Sequence, residues 1–185
     1  MTETEQKCRV CYGQMYQNAG HALCPHEDER VVLSIMLVRP GLHKTVRKVL
    51  AEKDFDIEEH RAIYASLLDL FKGGILSRHK RSGPVSVVDL NMQLREKGKH
   101  GLLRYLTVLS LNAPPAVFAP EPSPVSATDV ARCYAYIVKR KSLERQLRQP
   151  GLTSQEKNRV LSELSAVKDN LARTRTYGLL PDEGD

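Results

Sequence analysis

The 185-residue chain contains no tryptophan, and aromatic residues make up only 5% of it. A hydrophobic core must therefore be built mainly from leucine, valine and isoleucine. No apolar run approaches the roughly 18 to 20 residues that a membrane-spanning helix needs, and no signal peptide precedes the first apolar segment. We therefore expect a soluble, cytoplasmic protein that makes no membrane contact.

The sequence also lacks the motifs of a nucleotide-hydrolysing motor. A Gly-x-x-x-x-Gly-Lys-Ser/Thr phosphate loop does not occur, and little chain follows residue 176 in which a motor domain could fold. Paired carboxylates at catalytic spacing and a Ser/His/Asp set are not found either. These absences predict a non-catalytic protein that binds no nucleotide cofactor.

Three of the four cysteines are crowded into the first 25 residues. In a reducing compartment, such clustering favours metal binding over a disulfide framework. The spacing Cys-x-x-Cys followed by His-x-x-Cys can place four donors around one tetrahedral ion, and a complete set of four ligands is typical of structural zinc. We therefore predict a zinc-knuckle-like segment over residues 1–25. The predicted zinc ligands are Cys8, Cys11, His21 and Cys24, with His26 as the alternative fourth ligand.

Residues 26–127 show the apolar spacing of a bundle of short amphipathic helices. A long apolar run follows an acidic lead-in and stops at Pro40, because proline cannot continue the hydrogen-bond ladder of a helix. A second helix is predicted over 42–50. A third helix begins with the capping-box pattern of Asp56 and Glu59 and ends at Gly73. Two more helices follow, over 84–97 and 101–111. The predicted core consists of Leu33, Ile35, Leu37, Ile63, Leu67, Leu70, Leu90, Leu94 and Leu106.

Residues 128–176 predict an antiparallel helical hairpin, with a tail at 177–185. Gln149-Pro150-Gly151 breaks the two helices apart, and Thr153 with Glu156 forms a capping box for the seventh helix. That helix carries the narrow apolar seam of a pairing helix, formed by Val160, Leu164, Val167 and Leu171.

The formal charge of +6 is concentrated in this hairpin. Between residues 132 and 176, eleven Lys or Arg residues face four acids, a balance of +7, so the rest of the chain is close to neutral. Such a segment binds phosphate or an acidic protein surface, or it is simply a solvated helix face. A second basic tip lies in the loop over 73–84. The candidate contact residues are Arg78, Lys80, Arg81, Lys139, Arg140, Arg145, Arg148, Arg159, Lys168, Arg173 and Arg175.

Several features follow one another in a fixed order along about two thirds of the chain: an acidic start, an apolar helix ending at Pro40, Phe55, a third helix with Arg61 and Leu70, the Pro-Val-x-x-Val-x-Leu segment from Pro84, Leu106, and Tyr134-Ala135-x-Ile137-Val138. In this order they resemble the N-terminal domain of DnaB-type replicative helicases. The cysteine cluster departs from that family. The C-terminal hairpin resembles the end of the helicase-binding domain of DnaG-type primases, which shares the same fold.

The resemblance implies an all-α fold, with a compact bundle of short helices followed by the antiparallel hairpin. In the families it resembles, this domain pairs with itself and forms the contact between helicase and primase. We therefore expect a free-standing domain that docks on a replicative helicase or primase as an adaptor, a loader-like factor or an inhibitor. A homodimer and weak DNA binding are further expectations. The alternative is a small zinc-containing nucleic-acid-binding protein that uses the basic hairpin.

Overall fold

The computed structural model describes residues 26–73, 83–118 and 126–175. Within these ranges the protein is all-α, as predicted, with short 3-10 turns between some helices and no strand. The predicted zinc-knuckle-like segment lies outside them, and so does the tail from residue 177. Seven α-helices are described: α1 (Glu27–Val38), α2 (His43–Val46), α3 (Glu58–Lys72), α4 (Val87–Glu96), α5 (Leu103–Leu111), α6 (Ala127–Leu147) and α7 (Ser154–Arg175).

Helix α1 is the central element of the bundle and contacts α3, α5 and α6. Every residue from Val31 to Val38 is buried, because neighbouring helices surround this strongly apolar segment. Its first turn carries three acidic residues at the positive end of the helix dipole. The helix ends at Val38, so the predicted stop before Pro40 is confirmed, and Pro40 starts a 3-10 turn.

The nine residues predicted to form the core are all at most 3% exposed. They belong to one hydrophobic cluster that α1, α3, α4 and α5 share with one side of α6. Phe55, in the connection before α3, is fully buried and packs against Tyr64 with ring centroids 4.8 Å apart.

Helix α6 is shared between two hydrophobic clusters. One side of it, which includes Ala131 and Val138, lies in the core of the bundle. The other side packs against α7, where Ile137 and Leu143 meet the predicted seam of Val160, Leu164, Val167 and Leu171. The predicted hairpin is therefore present, but its first helix also completes the bundle.

The capping box of α7 is confirmed. The Thr153 amide donates to Glu156 Oε2 at 2.9 Å, and the Glu156 amide donates to Thr153 Oγ1 at 3.2 Å. Gly151, in the turn that precedes this box, has φ +92°, a left-handed conformation that glycine adopts without the strain imposed by a Cβ atom.

Two local predictions were wrong. The second helix spans only His43–Val46 after a 3-10 turn, because the amides of Val49 and Leu50 both donate to the Val46 carbonyl and close the segment as a turn. The capping box at Asp56 is not formed, since α3 begins at Glu58 and its N-cap residue, Ile57, makes no side-chain bond.

Candidate functional site

The hairpin is joined to the bundle by a buried carboxylate, that of Asp54. This residue lies in a 3-10 turn just before α3 and is fully buried. Its carboxylate accepts hydrogen bonds from the Ala51 amide at 2.8 Å, from Ser142 Oγ at 2.9 Å and from Lys139 Nζ at 3.2 Å. Two of these three donors belong to α6, so the turn before α3 determines how α6 is seated.

Lys139 extends this junction to α7, because its Nζ lies 3.0 Å from Glu163 Oε1 as well as beside Asp54. Partial burial alone would lower the pKa of Lys139, but the Glu163 and Asp54 carboxylates outweigh burial and raise that pKa. One ammonium group therefore bridges the bundle and both helices of the hairpin in its charged form.

Arg145 and Lys141 add two more contacts between α6 and acidic residues of the bundle. Arg145 Nη2 donates to the Asp54 carbonyl at 2.6 Å, and Arg145 Nε lies 3.4 Å from Asp56 Oδ1. Lys141 Nζ pairs with the Asp28 carboxylate. Lys139 and Arg145, both predicted to contact a partner, thus form ion pairs within the chain, and a binding role for them stays a prediction.

A second polar chain joins α1, α3 and α5 inside the bundle. His60 Nδ1 lies 2.7 Å from Glu29 Oε2, and His60 Nε2 lies 2.5 Å from the Tyr105 hydroxyl. Burial alone would raise the pKa of Glu29, but His60 and the donating Asp56 amide outweigh it and lower that pKa. Because the three side chains are buried, this acid–imidazole–phenol chain holds helices together and is closed to a substrate.

Of the predicted contact residues, Arg148, Arg159, Lys168 and Arg173 are exposed. Arg140 is half-buried, with its Nε 3.9 Å from Glu144. The Arg175 side chain and the loop residues Arg78, Lys80 and Arg81 lie outside the described parts of the chain. Among the predicted contact residues, the accessible basic groups are therefore found along α7 and at the turn before it.

One flank of α7 combines two of these charges with an exposed apolar group. Lys157, Leu161 and Lys168 are separated by four and seven residues, a spacing that places them on one face of a helix. All three are exposed, and Leu161 is 51% exposed. We call these three residues the α7 face. Arg159 and Arg173 point away from it, since they lie roughly 120° to 180° around the helix from its three residues at 100° per residue.

Helix α4 carries a second exposed apolar pair. Val88 is 59% exposed and Met92 is 57% exposed, and their separation of four residues places them side by side. We call this pair the α4 face. Arg95 lies three residues after Met92 and seven after Val88 and is exposed, so this face carries one cation where the α7 face carries two.

The predicted zinc ligands Cys8, Cys11, His21 and Cys24 all lie outside the described residues. Within the described ranges, no group of three His, Cys, Asp or Glu residues could hold a metal ion. His26, the alternative ligand, is 7% exposed, and its Nδ1 lies 3.7 Å from Asp56 Oδ2. The imidazole of His26 is thus placed against the bundle, beside the turn that also contacts Arg145.

The described helices include none that is long and apolar enough to cross a lipid bilayer.

Two comparisons with known proteins, one of sequence and one of structure, find the same helical domain. The profile of the family described as DnaB-like helicase N terminal domain matches residues 22–120, just over half of the 185-residue chain. The crystal structure of the N-terminal domain of DnaB helicase from Mycobacterium tuberculosis is similar, with a TM-score of 0.50 and 24% sequence identity. That similarity covers 81% of this chain and 93% of the mycobacterial one. No curated protein sequence matches significantly.

Proposed function

The chain belongs to the DnaB-like helicase N-terminal domain family, and from this premise we propose that it is a non-catalytic replication protein that docks on a replicative helicase or primase. It would act in the cytoplasm as an adaptor, a loader-like factor or an inhibitor. The matched segment is the N-terminal domain of the helicase and not its motor, which supports a role in docking.

The α7 face is the observation that carries this proposal. It presents an apolar group between two ammonium groups, on a helix whose adjoining side packs against α6. A partner that fits would offer an apolar groove lined by carboxylates, because burying Leu161 supplies affinity while the lysines select the charge of the partner. Within the described ranges α7 packs mainly on α6, so most of its surface stays accessible.

The test uses two double charge reversals on the same helix. Lys157→Glu with Lys168→Glu changes the α7 face, whereas Arg159→Glu with Arg173→Glu makes the same change of charge on the far side. Binding of the full chain to the helicase and the primase of its native host would be measured by interferometry at moderate salt. We expect the first pair, and Leu161→Ser alone, to weaken binding by about tenfold or more, and the second pair to change it by less than about threefold.

Equal loss from both pairs would indicate general electrostatic attraction and would contradict docking through the α7 face. Loss of binding in Val88→Ser with Met92→Ser, without loss in the α7 variants, would move the contact to the α4 face. Substitutions are preferable to deleting α7, because deletion would uncover Ile137 and Leu143 on α6.

Nucleic-acid binding is the second candidate function, supported by the exposed Lys157, Arg159, Lys168 and Arg173. Binding that depends on phosphate contacts weakens steeply with salt, and each contact that is removed lowers the salt slope by about one. Titration of single-stranded DNA at several salt concentrations distinguishes it from docking through Leu161. Pairing with a second copy stays a prediction, which light scattering would test.

We also propose one Zn²⁺ bound by Cys8, Cys11, Cys24 and His21. Three thiolates and one imidazole form a donor set that suits structural zinc. The position of His26 beside Asp56 favours His21 as the fourth ligand. Elemental analysis of protein purified without chelator should give about one zinc per chain, and finding none would refute the site. Loss of metal in His26→Ala but not in His21→Ala would reassign the ligand.

A further inference from the structure

A cleft of about 290 Å³ lies between α2 and α3, and no residue of the α7 face lines it. Leu50, Leu68 and Phe71 supply its apolar surface, and Arg47 and Lys72 stand at its edge as exposed cations. The cleft therefore combines an apolar interior with a positive rim.

Two polar groups of the cleft wall already have hydrogen-bond partners. His43 stacks on Phe71 with ring centroids 4.3 Å apart, and its Nδ1 lies 2.7 Å from the Pro40 carbonyl. The Tyr64 hydroxyl donates to the Leu50 carbonyl at 2.8 Å, and burial, with the charge of Asp54, raises the pKa of Tyr64 to about 12. Recognition in this cleft thus depends on its apolar surface and its two cations.

Those cations differ from other lysines of the bundle. Lys97 pairs with Asp69, and Lys99 pairs with Glu58. Arg47 and Lys72, by contrast, form no ion pair with any residue in the described ranges. Lys44 and Lys48, also exposed, add positive charge on the same segment. A ligand that complements the cleft carries apolar side chains followed closely by carboxylates.

Residues 177–185 of this chain have that pattern: Tyr-Gly-Leu-Leu-Pro-Asp-Glu-Gly-Asp. We propose that this segment docks in the cleft of its own chain. Leu179 and Leu180 would enter the apolar interior, and Asp182 and Glu183 would pair with Arg47 and Lys72. This inference does not depend on the proposed docking to a helicase or primase.

The segment follows a helix that packs on α6, as does α2 at the wall of the cleft. Leu171, near the end of α7, belongs to the same cluster as Cys133 on α6, while α2 packs against α6 through the bundle core. The end of α7 and α2 therefore both adjoin α6, and the segment begins two residues after the end of α7.

Zero-length carbodiimide cross-linking of the full chain, read by mass spectrometry, tests the contact directly. An amide bond forms only where a lysine ammonium and a carboxylate touch. We expect Lys72, with Lys44 and Lys48, to be joined to Asp182 or Glu183. Replacing both Leu179 and Leu180 by serine should lower the yield about tenfold or more, because the apolar anchors are lost while the acids remain.

Lys168 is the matched control, since it is nearer to the segment in sequence and is also exposed. The proposal would be overturned if Lys168 were cross-linked to the segment in the same yield as Lys72, or if the cross-links persisted after the two serine substitutions. Either result would show that charge attraction alone brings the segment near the lysines. Cross-linking a mixture of unlabelled and ¹⁵N-labelled protein shows which chain supplies the segment. Cross-linked peptides that carry a single isotope support a contact within one chain, whereas peptides that combine both isotopes show that a second copy supplies the segment instead. Arg47→Glu with Lys72→Glu should remove the remaining Lys44 and Lys48 products while leaving the helical circular dichroism spectrum unchanged. The proposal would be refuted if the parent protein gave no cross-links and bound single-stranded DNA, and if this double variant lost that DNA binding. The cleft would then be a nucleic-acid site.

Discussion

Replacing Asp54 by alanine removes a carboxylate that accepts hydrogen bonds from three donors in two parts of the fold. The Ala51 amide, the Ser142 hydroxyl and the Lys139 ammonium would each lose an acceptor. Removing one partner of a buried ion pair typically costs about 3 to 5 kcal/mol. Because Lys139 keeps its contact with Glu163, we expect the lower end, about 3 kcal/mol. For a domain of this size, that loss lowers the thermal midpoint by about 6 to 12 °C.

The measurement is urea denaturation followed by circular dichroism, with Asp69→Ala as the matched control. Asp69 also pairs with a lysine at 2.7 Å, but both side chains are well exposed, so its loss should cost at most about 1 kcal/mol. A double-mutant cycle between Asp54→Ala and Lys139→Met should then give a coupling energy of about 1 kcal/mol or more. If Asp54→Ala is no more destabilising than Asp69→Ala, the buried junction does not hold the hairpin on the bundle.

Three further predictions concern the bundle and the hairpin turn. Leu67→Ala should lower the free energy of unfolding by about 2 to 5 kcal/mol in chemical denaturation, because Leu67 is fully buried; an unchanged midpoint would contradict the packing of α3. Because the pKa of Glu29 is lowered from its ordinary value of 4.5, its carboxylate stabilises the fold fully above pH 4.5. This contribution is lost as the pH falls through the lower pKa of the folded state. Below pH 4.5, the thermal midpoint of Glu29→Gln should therefore fall less steeply than that of the parent. Gly151→Ala should lower the free energy of unfolding by about 1 to 2 kcal/mol, because Gly151 has a left-handed φ of +92°. Gly41→Ala should lower it by less, since Gly41 has open space around it and no positive φ. Equal denaturation midpoints for the two variants would show that Gly151 relieves no backbone strain.

Local pattern was sufficient to predict most of the helices and the nine core residues. Periodicity identified the inward faces of α3 and α7, and Thr153 with Glu156 identified the start of α7. Such signals act within one or two helical turns, so they could be found in the sequence. The start of α3 was misassigned because Asp56 does not cap that helix and instead contacts Arg145 of α6.

The acidic junction could not be derived from the count of charges. Eleven basic residues against four acids describe a segment, but they do not say which side of α6 each charge occupies. One signal was present. Ala131, Ala135 and Val138 face the bundle, and the same spacing of four and three residues continues to Ser142 and Arg145. Polar residues that continue an apolar stripe indicate buried acceptors opposite, although the identity of Asp54, 88 residues from Ser142, lies beyond a local pattern.

The position of α6 has a consequence for synthesis on the ribosome. Lys141 pairs with Asp28 across 113 residues, and Lys139 pairs with Asp54 across 85 residues. Helices α1 to α5 therefore emerge with one side of their core uncovered and with Asp54 lacking its partners from α6. The contacts between α6 and α7 are local by comparison and can form as soon as both helices are released. We therefore expect the nascent chain to remain open and protease-sensitive until α6 leaves the exit tunnel, and then to close in a late step.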